Sequence, residues 1–200
     1  AASLQDISDK ITLLSYSPNK GKGAALKFAF DYAQKHNFDY AITIDADGQH
    51  FASDLPLFFD AIEKDYGAMI VGSRFLKQEN MPAGNTFANK FSNFWFTVQT
   101  GKKLADTQTG YRAYPLFKMG KMRSFSKRYE SELEYLQRIA WRNIKIVSIP
   151  IQVYYAPEGQ RVSHFRKGRD FTRISVLNTL MCFVAIFYGY PSMFLRQLFK

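Results

Sequence analysis

The sequence predicts an α/β fold, a mostly parallel sheet flanked by helices, and three observations carry that expectation. Short apolar runs alternate with stretches whose apolar residues recur at helical spacing, the pattern of a sheet covered by helices. The chain has 200 residues, 46% of them apolar, enough for one domain with a core of its own. Two carboxylates, Asp45 and Asp47, follow an apolar run, and the C-terminal ends of strands are where open α/β sheets bind ligands.

Taken in order, residues 11–16 (ITLLSY) read as a first strand, and Pro18-Asn19-Lys20-Gly21 as a turn. Ala25, Phe28, Ala29, Tyr32 and Ala33 then mark a helix. Residues 40–44 (YAITI) form a second strand that ends in Asp45-Ala46-Asp47-Gly48. Ser53 reads as an N-cap, with Pro56 in the first turn and Leu57, Phe58 and Ile62 on the apolar side of the helix. Residues 68–71 are a third strand, 74–85 a polar loop and 87–98 an aromatic-rich helix. Residues 106–114 read as loop or short strand, 130–141 as a helix, and 144–153 as a strand carrying Pro150. A Gly- and charge-bearing stretch, 156–170, precedes an uncharged run, 174–195, between Arg173 and Arg196. This divides the chain into a domain over 1–170 and an apolar C-terminal helical segment over 171–200.

The net charge of +10 points either to an anionic partner (nucleic acid, nucleotide phosphates or an acidic membrane surface) or simply to a soluble basic protein, and charge alone does not choose. The single cysteine, Cys182, excludes an internal disulfide and a Cys-based zinc site, and fits a reducing compartment. The polar, mixed-charge start has no signal-peptide character, and without an initiator Met the expectation is that the N-terminus lies upstream.

Four motifs carry chemistry. Side chains two apart in extended chain point the same way, so Asp45 and Asp47 face one point and invite a hard divalent cation. An EF-hand is excluded, because Gly48 falls fourth and Pro56 twelfth; a solvated Asp-rich turn is the competing explanation. Asn19-Lys20-Gly21-Lys22-Gly23 precedes a helix N-terminus, where free N–H groups favour an anion; taken alone, a tight turn with solvated lysines explains it better. It is neither a Walker loop, since Gly23 follows Lys22, nor a dinucleotide fingerprint, since Leu26 fills the third glycine position. Arg161, Ser163, His164, Arg166, Lys167 and Arg169 form a basic cluster suited to phosphates, to solvent or to nucleic acid, although no nucleic-acid motif accompanies it and the aromatics sit in apolar runs. Glu130, Glu132 and Glu134 alternate at a helix start, where the helix dipole alone accounts for acidic residues; the functional alternative is that one is a base.

Together and in order, NKGKGAAL (19–26), DADGQH (45–50), VGSRF (71–75), DTQTGYRAY (106–114), RYESELEYL (128–136) and VSHFRKGRDF (162–171) resemble family 2 glycosyltransferases, chiefly the dolichyl- or polyprenyl-phosphate sugar synthases and their bacterial relatives. The resemblance implies a GT-A fold and transfer, with inversion, from a GDP- or UDP-linked sugar to a lipid-linked acceptor, with Mg²⁺ or Mn²⁺ as cofactor. It implies that Asp45 and Asp47 hold the metal with Gln49 beside them, and that Lys22 lines the donor pocket. It places Arg74, Gln108 and Arg112 in active-site or acceptor-side segments, and Ser163, His164 and Arg166 on a loop over the phosphates. Relatives often carry Ser-Lys there; this chain has Ser163-His164-Phe165-Arg166, which moves the cationic contact to Arg166. For a hydroxyl acceptor, Glu132 and Glu134 are the candidate bases. The Asp-Asp-Gly-Ser-like loop that grips the nucleotide in relatives has no counterpart before Ile11, so the first strand and part of the donor site are expected to be missing from this chain.

The final apolar run is just long enough to cross a hydrocarbon core of ~30 Å, but Gly189-Tyr190-Pro191 is expected to break it. With Arg169, Arg173, Arg196 and Lys200 flanking it, the expectation is monotopic association with the cytoplasmic face of a membrane. The alternatives are a true span and packing on the domain. A nucleic-acid-binding module and a catalytically idle scaffold are the competing functions from other classes.

Overall fold

A computed structural model describes residues 10–74, 83–122, 126, 130–155 and 167–199. Four strands, β1 (Tyr40–Thr43), β2 (Met69–Arg74), β3 (Arg112–Pro115) and β4 (Ile146–Ile151), form one sheet in the order β1-β3-β2-β4. β3 pairs antiparallel with both β1 and β2, while β2 and β4 are parallel. β1, β2 and β4 therefore share one direction and β3 alone opposes them. The cause lies in the loop before β3. Asp106 is fixed to Arg74 at the C-terminal end of β2, so the chain enters β3 from that edge and must run back down the sheet.

The helices α1 (Lys22–Lys35), α2 (Leu55–Lys64), α3 (Ala83–Thr100), α4 (Leu116–Met119) and α5 (Glu130–Trp141) cover the sheet. Strand periodicity divides the core in two. Met69 and Val71 face one side with Phe30, Phe96, Leu136 and Ile139 from α1, α3 and α5. Ile70 and Ala113 face the other with Phe58 of α2, whose ring stacks on Tyr111 at 4.4 Å.

Two local expectations are corrected. Residues 11–16 are irregular, with Ile11 and Leu13 exposed; β1 is a sheet edge, and an apolar run becomes a strand only when a neighbour takes its backbone groups. Ser53 is not the N-cap. A 3₁₀ turn, Ala52–Asp54, leads into α2, and the carboxylate of Asp54 accepts the Gln152 N–H at 2.8 Å, tying that turn to the chain leaving β4.

The C-terminal segment departs from expectation as well. α6 (Lys167–Val184) passes through a π-helical turn (Ala185–Gly189) into α7 (Tyr190–Leu198) without a break. Proline lacks an N–H, and its ring crowds the carbonyl four residues back; the wider π turn just ahead of Pro191 relieves both. The boundary placed at 170/171 falls inside α6. Leu177, Met181, Ala185 and Gly189, four residues apart, form the buried face against Trp141. A Cβ on Gly189 would lie 2.5 Å from Trp141 Nε1, so only glycine lets the helix approach so closely. Ile174–Leu198 is long and apolar enough to cross a membrane by length and composition.

Candidate active site

Three separate elements bring charged groups to one point at the C-terminal edge of the sheet. The turn before α1 needs a left-handed residue, and Gly21 supplies it at φ 92°, its N–H donating to Asn19 Oδ1 at 2.8 Å. That turn presents Lys22 in the first turn of α1. The chain leaving β1 presents Asp45, and the first turn of α5 presents Glu132. Lys22 Nζ donates to Asp45 Oδ1 at 2.6 Å and pairs with Glu132 Oε2 at 2.8 Å. Burial pushes the Lys22 ammonium down, but the charges of Glu132 and Asp45 and their hydrogen bonds outweigh it, so its pKa rises and the cation persists. Glu132 is 7% exposed, and its Oε1 is buried without a hydrogen-bond partner among the described residues.

The wall behind Asp45 is Gly110. A Cβ there would sit 2.3 Å from Asp45 Oδ2, so a side chain at 110 would displace the carboxylate. Thr43 Oγ1 donates to the Gly110 carbonyl at 2.7 Å and holds the loop in place. Motif reading alone did not single out Gly110 or Asp106, and the only signal for either was membership of the DTQTGYRAY stretch.

Asp47 is exposed, with Oδ1 accepting the Gln49 N–H at 3.0 Å in an Asx-type turn, and Gly48 takes φ 75°. The loop is stapled to the segment after β4: Tyr154 N–H donates to the Gln49 carbonyl at 2.9 Å, and His50 bridges Val153. Burial lowers the His50 pKa despite the charges of Asp45 and Asp47, so the imidazole is neutral at pH 7. The Gln49 side chain is exposed. Among the described residues no three His, Cys, Asp or Glu side chains converge into a metal cage. Two carboxylates on one loop, open to solvent at Asp47, instead suit Mg²⁺ or Mn²⁺, which are commonly held by one or two carboxylates together with substrate phosphates. The residues present fit the cation in that form.

Arg74 grips Asp106 with two side-chain bonds, Nε to Oδ2 at 2.6 Å and Nη2 to Oδ1 at 2.9 Å, plus its own N–H at 3.2 Å. Burial pushes the Asp106 carboxyl up; the hydrogen bonds and charge of Arg74 and the Gln108 N–H outweigh it and hold the group below the usual carboxylate range. Gln108 is exposed at the tip of this loop.

Two expectations about side chains are corrected. Arg112, expected on the acceptor side or else paired within the fold, is 1% exposed and takes the second course, donating to the carbonyls of Thr109, Glu132 and Thr107 at 2.7, 2.7 and 2.8 Å. A guanidinium enclosed by main chain braces the loop against α5. Glu134, a candidate base, is fully buried: Oε1 takes Arg138 and Oε2 takes both the N–H and hydroxyl of Ser126. Both of its carboxylate oxygens are taken up by these donors. Ser163, His164 and Arg166 lie outside the described residues.

The family model for glycosyl transferase family 2 matches residues 1–128, more than half of the chain. The chain belongs to glycosyl transferase family 2. Among its relatives, it is 30% identical over 151 residues to the UDP-N-acetylglucosamine–dolichyl-phosphate N-acetylglucosaminyltransferase of Methanococcus voltae, covering 73% of this chain and 60% of that protein. It is 27% identical over 150 residues to the polyprenol monophosphomannose synthase of Mycolicibacterium smegmatis, covering 72% and 56%. It is 25% identical over 150 residues to the undecaprenyl-phosphate mannosyltransferase of Micrococcus luteus, covering 70% and 60%. The chain thus spans 56–60% of the length of these relatives. In fold it resembles glucosyl-3-phosphoglycerate synthase from Mycobacterium tuberculosis, solved with uridine diphosphate, at a TM-score of 0.53 and 15% identity over 86% of this chain and 56% of that one. That likeness is one of fold and bears out the GT-A expectation.

Proposed function

We propose that this family 2 glycosyltransferase moves a sugar from a UDP- or GDP-linked donor to a polyprenyl-phosphate acceptor, with inversion at the sugar and dependence on Mg²⁺ or Mn²⁺. The observation that carries the proposal is the convergence of Lys22, Asp45 and Glu132 at the sheet edge, with Asp47 exposed on the same loop. The names of the three relatives, each a transferase onto a polyprenyl-type phosphate, support the acceptor class.

A divalent cation held by Asp45 and Asp47 would neutralise charge on the departing nucleoside diphosphate. Lys22 contributes a second, fixed positive charge to the same point. The acceptor oxygen forms its bond to the anomeric carbon on the face opposite the diphosphate, and the old carbon–oxygen bond breaks with its electron pair leaving on the diphosphate. A phosphate oxygen is already an anion, so no group need take a proton. Glu132 then orients Lys22; with a hydroxyl acceptor it is the carboxylate available as a base. Arg74, latched to Asp106, holds the neighbouring loop.

The test uses the complete protein with polyprenyl phosphate and radiolabelled UDP- and GDP-sugars. Label is expected in the lipid fraction, lost on chelation, restored by Mn²⁺, and absent in Asp47→Ala. Transfer that is indifferent to both chelation and Asp47→Ala sinks the metal assignment; label that reaches only a hydroxyl acceptor sinks the acceptor class.

The acceptor class agrees with the surface. Val176, Leu180, Phe183, Phe187, Phe194 and Leu198 are exposed on the side of α6–α7 away from the domain, Phe187 at 78%. α3 adds Phe87, Phe94 and Val98, and the Tyr190 hydroxyl joins the two helices by donating to the Val98 carbonyl at 2.5 Å. A helix docked on protein along one face and apolar on the other suits a membrane interface better than a span. We assign the protein to the cytoplasmic face, the side on which a lone free thiol is at home.

A further inference from the structure

α5 carries Glu132 near one end, and Arg142 follows its other end, about 15 Å away at 1.5 Å per residue. Beside Arg142 lies an open cavity of about 680 Å³, formed where α7 crosses the end of α5 and lined by Phe187, Tyr188, Leu195, Arg196 and Phe199, among others. A second cavity of about 390 Å³ adjoins it, and Arg142 and Arg196 line both. No carboxylate among the described residues lines either one. Among the described residues neither guanidinium has a carboxylate within ion-pair distance. Arg142 Nη2 reaches the Lys121 carbonyl at 3.4 Å, and Arg196 Nε reaches Ser192 Oγ at 3.4 Å, both at the long limit of a hydrogen bond. Burial pushes the Arg142 guanidinium down; Tyr188 opposes that, while Arg196 and Arg138 press it further.

Two arginines, Arg142 half-buried and Arg196 exposed, share a concave wall on which no described carboxylate answers them, so an anion can bind both without displacing an ion pair. The rim is apolar: Phe187, Leu195 and Phe199 are 78%, 52% and 86% exposed, and Phe187 belongs to the stripe assigned above to the membrane. A ligand that satisfies both features carries a phosphate for the guanidinium forks and hydrocarbon for the rim.

We propose that the cavity between Arg142 and Arg196 receives the phosphate of an anionic membrane phospholipid, at a site separate from the catalytic cluster. This rests on the interfacial placement of α6–α7. The site fixes how the domain sits on the bilayer, with the bound headgroup about 15 Å along α5 from Glu132.

Flotation of the complete protein at physiological salt tests it, with vesicles of phosphatidylcholine alone and of phosphatidylcholine mixed with phosphatidylglycerol. The wild type is expected to bind both and to prefer the anionic vesicles. Arg142→Gln with Arg196→Gln should lower that preference on the order of 30-fold, from about 1 kcal/mol per basic residue at the surface, and leave binding to phosphatidylcholine intact. Arg142→Lys with Arg196→Lys should retain most of it, which shows that the site, not the fold, was lost in the first variant. Lys35→Gln with Lys64→Gln, which remove equal charge from exposed positions on α1 and α2, should leave it unchanged. A preference that survives the arginine-to-glutamine pair, or falls equally in the lysine pair, overturns the lipid site while leaving the interface assignment standing. Wild type that floats with neither vesicle overturns the interface assignment and the site with it.

Discussion

Partners separate two buried acidic side chains of α5 that look equivalent along the chain. Glu132 and Glu134 sit two apart in one motif, and the helix-dipole argument applies to both. One turns toward Lys22 with a lone buried oxygen; the other is enclosed by Arg138 and Ser126. Glu132→Gln removes the charge that orients Lys22 and is therefore expected to lower transfer by about 10-fold, on the order of one charge-assisted hydrogen bond, with little change in thermal stability. Glu134→Gln is expected to cost about 1–3 kcal/mol of stability while the folded fraction keeps its turnover. Thermal melts and turnover measured on the two variants check the assignment, and the opposite pattern would exchange their roles. The placement of Asp45 just beyond β1 was legible in the sequence, because the apolar run 40–44 marks where that strand ends. Arg112 was not, because an arginine in a motif reads alike whether it meets a phosphate or, as here, three carbonyls distributed over two elements.

Among elements, the loop that precedes β3 organises the site. It sets Gly110 behind Asp45, and the Arg74–Asp106 latch anchors it to β2. Asp106 is fully buried in that latch, so Asp106→Asn should destabilise the fold by about 3–5 kcal/mol, because it leaves the Arg74 charge unanswered. The wild type should also show an acid-dependent component. The Asp106 carboxyl is held below the ordinary carboxylate value, so in acid the unfolded chain binds the proton more readily than the folded one. The stabilisation is complete above about pH 4–5 and is lost as pH falls through the lowered value. Urea melts from neutral pH downward should show stability falling with acid in the wild type and a shallower fall in Asp106→Asn; equal slopes would remove the latch from the account. Strand and helix order was readable from periodicity, including α5 to the residue. The direction of β3 was not, since it follows from a contact 32 residues apart in sequence. Residues 11–16 misled because apolar alternation announces a strand without saying whether a partner exists.

Over the whole molecule, the C-terminal helix divides the surface into a docked face and a free one, and the two should respond differently to substitution. The uncharged run was plain in the sequence, but Pro191 pointed to a break that the π turn removes, and without that continuity the two faces could not be assigned. On the docked face, Gly189 meets the Trp141 ring, whose Nε1–H also donates to the Gln99 carbonyl at 2.7 Å. Gly189→Val must push the helix off that ring. The expected cost is about 1–3 kcal/mol of overpacking, which at about 2–4 °C per kcal/mol is a clear drop in melting temperature. On the free face, Phe183, Phe187 and Phe194 are 57%, 78% and 61% exposed. Their replacement by serine removes little packing, so the melting temperature should hold within the small range typical of surface changes. Recovery in the membrane fraction should fall instead, because each phenylalanine lost withdraws apolar area from the bilayer. Differential scanning calorimetry and fractionation of the same two variants decide the matter. A triple serine variant that melts early would mean that this face is packed against protein in the complete molecule. One that melts normally and still sediments with membranes would place the anchor elsewhere in the chain.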